Sequence, residues 1–230
     1  MTITPQRLTA VSGLCAAAAG AIFIGVQIRH PHLDATSIQS TEMAIRDTSK
    51  VLMAVLALIG ITGMYLSQVR RNGVLGLVGY VVFAVGYLLI MSTAYVAAYV
   101  TPTVAAADPH LANGLITVAL GHSTSVDVGA FATVVRLQGF AFLGGSLLFG
   151  IALFRAGVLA RWATLLLAAG GLITVALTLM PDAFYRLLAF PNGIAMIGLG
   201  ISLWNTQRVA HRDTRTVETS PATAEVDAVR

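Results

Sequence analysis

The stretch VDVGAFATVVRLQGFAFLGGSLLFGIALF, residues 126–154, is apolar for most of its length yet carries Arg136 and Gln138. A charge inside a bilayer core marks a functional site by default, so the depth of Arg136 is the first thing to establish. Arg155 closes the run and belongs at a membrane boundary. Arg136 precedes it by 19 positions, about 28 Å of straight helix at 1.5 Å per residue. The hydrocarbon core is about 30 Å thick. Arg136 is therefore expected at the outer edge of the core, with Gln138 half a turn deeper. Two readings stay open: an interfacial arginine snorkelling to lipid phosphate, or a cation lining an outward-facing pocket. Residues from Ser123 onward could extend this helix above the membrane. In that case Asp127, nine positions before Arg136, falls on the opposite helix face and forms no direct pair with it.

Composition makes lipid the solvent. Of 230 residues, 57% are hydrophobic and 10% charged, and the mean hydropathy is +0.81. Soluble domains carry about 25% charged residues; this chain cannot cover a water-facing surface. The net charge of +4 comes from basic residues in short loops and a tail, a pattern of membrane topology rather than of a nucleic-acid face. The single cysteine, Cys15, rules out an intramolecular disulfide and a multi-cysteine zinc site.

A spanning helix needs about 20 apolar residues, and its backbone must bond within the segment. Six segments qualify: 8–28, 49–67, 74–98, 130–154, 160–180 and 188–205. The expected architecture is an all-α, multi-pass bundle over 1–205, with a disordered cytoplasmic tail over 206–230. Arg7, Arg70, Arg71, Arg155, Arg161, Arg208, Arg212 and Arg215 fall on one side, whereas 101–129 has no Lys or Arg. The positive-inside rule then puts both termini in the cytoplasm of a cell membrane. The first segment contains AAAAGA, a possible signal-peptide cut, but its apolar run continues through IFIGV; an uncleaved anchor is expected.

Small residues recur every four positions at Gly13, Ala17, Ala21 and Gly25 and at Ser12, Ala16 and Gly20. That spacing lets helix backbones approach closely, and a seam inside the monomer is expected before a dimer interface. RNGVLGLVGYVVFAVGYLLI from Arg71 and RAGVLARWATLLLAAGGLIT from Arg155 share seven of 20 positions. They are either a parallel repeat or two similar cytoplasmic turns.

The sequence offers little catalytic chemistry. His30, His32, His110 and His122 fall on the outer side with Asp34, Asp108 and Asp127, a donor set that would suit zinc. No HExxH, nucleophile elbow, P-loop or dinucleotide fingerprint is present, and no histidine sits mid-span to hold haem. No cofactor is expected. No acid falls deep in a predicted span, and Tyr80 and Tyr87 share a face suited to helix–helix hydrogen bonds. Pro31, Pro102, Pro109, Pro181 and Pro191 lie at span ends or in loops, unlike the broken helices of transporters. LANGLITVALG, 111–121, reads as a short helix over the outer end of the bundle, a candidate lid.

GFAFLGGSLLFGIALFRAGVLARWATLLLAAGGLI (139–173), RLTAVSGL (7–14) and KVLMAVLALIG (50–60) together resemble a bacterial family of small six-helix integral membrane proteins known as a domain of unknown function. The resemblance covers residues 7–205. It implies a bacterial inner-membrane bundle and brings no reaction or catalytic residues with it. The leading expectation is a non-enzymatic protein, surrounded by membrane lipids, that binds a protein partner or a small apolar ligand in its outer half. Arg136, Gln138, Asp127 and Tyr95 are the candidate ligand-binding residues, and His30, His32, His110 and His122 the candidate metal ligands. A small-molecule permease and a metal-assisted membrane enzyme are the alternatives.

Overall fold

The computed structural model describes residues 4–28, 33–178 and 189–218, with side chains given except at 173–178 and 210–218. Among these residues all regular structure is helical: α1 (Pro5–Gly25), α2 (Thr41–Leu66), α3 (Val69–Tyr95), α4 (Thr101–Ala107), α5 (Pro109–Ala119), α6 (Phe131–Ala156), α7 (Arg161–Thr178) and α8 (Ala189–Glu218). A single 3₁₀ turn, Ser37–Gln39, precedes α2, and a π-turn, Val96–Val100, joins α3 to α4. Among the described residues, four helical segments are long and apolar enough to cross a membrane: Pro5–Gly25, Thr41–Leu66, Val69–Ala107 and Phe131–Ala156.

Six helices close into a ring in chain order: α1 against α2, α2 against α3, α3 against α6, α6 against α7, α7 against α8, and α8 back against α1. Every neighbouring pair is antiparallel. The reason the helices can approach is lack of side-chain bulk, because apolar side chains gain nothing over lipid by meeting one another. On α1 the small residues divide between two partners. Gly13 and Gly20 face Gly200 and Gly193 of α8, while Ser12 and Ala16 face Gly63 and Gly60 of α2. This is the expected seam inside the monomer, and it makes α1 an integral part of the fold. Gly25, in the same spacing, has open space around it. Between α3 and α6 the register is regular: Gly76 meets Ala152, Gly79 meets Phe149, Phe83 meets Gly145 and Gly86 meets Phe142. Gly150 and Gly171 serve α6 and α7, and Gly198 lets the Trp162 ring of α7 lie on α8.

The α2–α3 seam is built differently. Tyr65 and Tyr80 stack with centroids 4.8 Å apart, and the Thr62 and Tyr80 hydroxyls are hydrogen-bonded at 3.0 Å. Tyr80 thus serves the helix–helix bond its position suggested. Phe83, Tyr87, Phe142 and Phe149 form an aromatic cluster beside it, buried with Met53, Ile61, Met64, Leu153, Leu167, Met196 and Leu203.

At the end of the ring away from the termini, the 33–40 segment, α4 and α5 cap the bundle. Ala35, Ile38, Met43, Ala105, Ala112 and Ile116 form a second, smaller core, and the Ala35 N–H donates to Asn113 Oδ1 at 2.9 Å. α5 coincides with the short helix expected over 111–121, and Asp108 caps it by accepting from the His110 and Leu111 N–H groups. The π-turn accompanies Pro102, which supplies no N–H to the preceding turn; the Thr101 N–H bonds to Val96 O instead.

Three expectations shift. α2 begins at Thr41, not 49, since Ser40 accepts from the Met43 N–H and Glu42 sits in the first turn, both start signals of a helix. Its 26 residues reach about 39 Å, longer than the roughly 30 Å thickness of a hydrocarbon core. α8 continues to Glu218, beyond the expected end at 205; residues 219–230 of the tail lie outside the described residues. Finally, the two similar stretches turn differently. Gly73 and Gly157 both have positive φ, but Gly157 (φ 67, ψ 20) directly ends α6, whereas Gly73 (φ 57, ψ −160) interrupts the start of α3.

Charge is unevenly divided between the two ends, with Arg46, Lys50 and Arg136 the described basic residues at the cap end. Arg7, Arg70, Arg71, Arg155, Arg161 and Arg208 surround the end that carries the terminal segments. Between Thr4 and Val209 the described acids, Asp34, Glu42, Asp47, Asp108 and Asp127, all lie at the cap end. Aromatic residues mark both rims: Trp162 is exposed and Arg208 covers the Trp204 ring at 4.8 Å, while exposed Tyr95 and Tyr99 pack together at 4.9 Å at the other.

Candidate functional site

Residues 120–130 connect α5 to α6 and build a cleft of about 260 Å³. The connection is shaped by two glycines. At the end of α5 the Gly121 N–H bonds to Val118 O and the His122 N–H to Thr117 O, with Gly121 at φ 86; this paired closure of a helix end needs the left-handed conformation that glycine tolerates. Val126 then packs back onto Gly114 of α5. The Asp127 carboxylate accepts from the Gly129 N–H at 2.9 Å, and Gly129, at φ 57, turns the chain into α6.

Arg136 and Asp127 line this cleft together with His122, Ser123, Thr124 and Val135. The opposite-face argument assumed one helix through both residues. α6 starts only at Phe131, and the turn at Gly129 brings Asp127 to the same cleft as Arg136. No ion pair or hydrogen bond joins the two, and Arg136 makes neither with any described residue. The N-terminus of α6 opens on the same space. Its cap residue, Ala130, offers no side-chain acceptor and its first turn has no acid, while Gly129 and Ala132 line the cleft. Unbonded N–H groups and the positive end of the helix dipole favour an anion there. Next to Arg136 on α6, Leu137 and Phe140 are 55% and 75% exposed, so an exposed apolar surface adjoins the cleft.

The other candidates are placed elsewhere. Gln138 is engaged in the α3–α6 seam, where its Oε1 accepts from Thr93 Oγ1 at 2.7 Å. Tyr95 lies on exposed α3 surface against Tyr99. Neither lines the cleft. His110 is exposed in the first turn of α5 and His122 is exposed at the cleft; His30 and His32 lie outside the described residues. Among the described residues no three His, Cys, Asp or Glu side chains gather as a metal site.

No known protein family, no curated protein and no solved structure matches this chain.

Sequence reasoning missed the ionic groups beneath the cap. Asp47, placed in a loop by hydropathy, is on α2 and 2% exposed, and accepts from Lys50 Nζ at 2.6 Å. Thr48 beside it is hydrogen-bonded to Tyr99 at 3.1 Å. Arg46 reaches back to the carbonyls of Val26 and Ile28 at 2.9 and 3.1 Å while paired to Glu42 at 2.8 Å. It thereby satisfies carbonyls just past the end of α1, where a cation is favoured. The signals were legible: Glu42–Arg46 and Asp47–Lys50 have the i,i+4 and i,i+3 spacing of helical pairs.

Proposed function

We propose that this chain is a six-span protein of a bacterial cytoplasmic membrane, both termini in the cytoplasm, that binds a small amphiphile with an anionic head in its outer half. Six crossings are supported by the ring itself: α7 and α8 complete it, and α8 packs backbone to backbone on α1. The orientation is supported by the excess of arginines at the end that carries the terminal segments, where Arg7, Arg70, Arg71, Arg155, Arg161 and Arg208 outnumber Arg46, Lys50 and Arg136 at the cap end. It is tested by Ser220→Cys in a Cys15→Ser background. A membrane-impermeant thiol reagent is expected to label it only after cells are permeabilised; labelling of intact cells would reverse the orientation.

The ligand reading rests on one observation: Arg136, with no described partner, lines a cleft that also receives the uncapped start of α6. The exposed Leu137 and Phe140 beside it suit an alkyl chain. This replaces a purely apolar ligand with one carrying a negative head. Titration of detergent-purified protein with short-chain phosphatidylglycerol and phosphatidylcholine tests it by native mass spectrometry. Arg136→Gln is expected to weaken phosphatidylglycerol retention about tenfold or more, the loss of one charge-assisted contact of about 1.5–3 kcal/mol, and to leave phosphatidylcholine unchanged. Equal retention of both lipids by both proteins would remove the proposal.

A further inference from the structure

The register of the α3–α6 seam gathers arginines at the end of the ring that carries the terminal segments. The two helices are antiparallel and in backbone contact, with Gly76 against Ala152 and Gly79 against Phe149. Three residues further toward that end, the same register sets Gly73 opposite Arg155. Arg70 and Arg71 occupy the turn of α3 just before Gly73. Arg161 opens α7 and is held back against α6, its guanidinium carbon 5.0 Å from the centre of the Phe154 ring. Two arginines from each side thus surround the mouth of one seam.

All four are exposed, and the side chains of Arg70, Arg71 and Arg155 make no hydrogen bond or ion pair with any described residue. No described acid between Thr4 and Val209 lies at this end. The mouth is not filled by protein: a β-carbon at Gly73 or at Gly157 would meet nothing within 4 Å. Beside it the lipid-facing surface turns apolar, with Val74, Leu77 and Val78 of α3 and Ile151 of α6 exposed. The positive-inside rule asks only that basic residues share a side; it does not ask that they converge on one seam, where like charges repel. A bound anion removes that repulsion. Guanidinium forks pair with phosphate oxygens two at a time, and basic pockets between spanning helices suit phosphate-rich lipid heads. We infer that a phospholipid with two phosphates in its head, of the diphosphatidylglycerol type, docks at the mouth of the α3–α6 seam. Arg70 and Arg71 serve one phosphate, Arg155 and Arg161 the other, and the acyl chains lie along the exposed apolar side chains. The site is independent of the Arg136 cleft, which opens at the cap end.

The test is native mass spectrometry of the full chain in detergent, titrated separately with diphosphatidylglycerol, phosphatidylglycerol and phosphatidylcholine. The wild-type protein is expected to retain one diphosphatidylglycerol about tenfold more tightly than phosphatidylglycerol. Arg71→Gln with Arg155→Gln should weaken that retention about tenfold or more. Arg7→Gln with Arg208→Gln removes the same charge from the same end but at α1 and α8, and should leave it within about twofold of wild type; so should Arg136→Gln. All the substituted side chains except Arg136 lie at the rim of the ring, and an unchanged melting midpoint is expected for each double variant. Equal loss in the two double variants would mean that the arginines act only as a diffuse surface charge. Equal wild-type retention of the one-phosphate and two-phosphate lipids would mean that the seam does not read a paired head. Either result overturns the inference, and neither bears on the Arg136 cleft.

Discussion

Gly200→Leu is expected to abolish the folded protein. A β-carbon at Gly200 would sit 2.6 Å from the Ala17 backbone nitrogen and closer still to the Gly13 carbonyl oxygen. Both are backbone atoms of α1, so no rotamer change relieves the clash and the helices must separate. Separation also lifts Gly20 from Gly193 and opens the α1–α8 seam that closes the ring. Overpacking a core costs about 1–3 kcal/mol when neighbouring side chains can yield; here the obstacle is backbone, and the loss should exceed that range. It is to be read as loss of the monodisperse species in size-exclusion chromatography, with Gly200→Ala giving a smaller fall in melting midpoint. Gly144→Ala is the control. Gly144 lies within α6 with nothing near the added carbon, and alanine should leave stability unchanged or raise it by up to about 1 kcal/mol through helix propensity. Wild-type melting of Gly200→Leu would mean that α1 and α8 do not meet.

Lys50→Met should be the next most damaging change. It leaves the Asp47 carboxylate, 2% exposed, without its partner beneath the cap. Breaking one half of a buried pair costs about 3–5 kcal/mol, and the lower figure applies because the Lys50 side chain is 26% exposed. Replacing both residues, Asp47→Leu with Lys50→Met, removes charge and partner together and should recover most of that loss. The difference between the double variant and the sum of the singles, measured by thermal or denaturant unfolding, gives the coupling energy. Additive single-variant effects would show that the pair contributes nothing and that Asp47 is buried for another reason.

These two sites differ in how far the sequence announced them. The spacing of Gly13 and Gly20 marked a close helix contact but did not name α8 as the partner. Asp47 was hidden because hydropathy starts a span where charge ends, whereas α2 begins two turns earlier with charged residues. Arg136 is the intermediate case. Its place near the start of α6 followed from counting residues back from Arg155. Its company did not follow, because the relation of Asp127 to Arg136 turns on the conformation of Gly129, which a hydrophobic pattern does not encode. The same limit applies to Gln138, which resembled a pocket residue until its bond to Thr93 across a seam was seen.

By itself the sequence determined that the chain is helical and suited to lipid, where its apolar segments fall, and how its charges divide between two ends. Those properties depend on local composition and on a fixed rise per residue. The order of the ring, the burial of Asp47, the cleft at Arg136 and the convergence of Arg71 and Arg155 on one seam were decided only by tertiary structure. Each arises where segments distant along the chain, or two turns joined by a glycine, are brought into contact, and contact is what sets burial and hydrogen-bond supply.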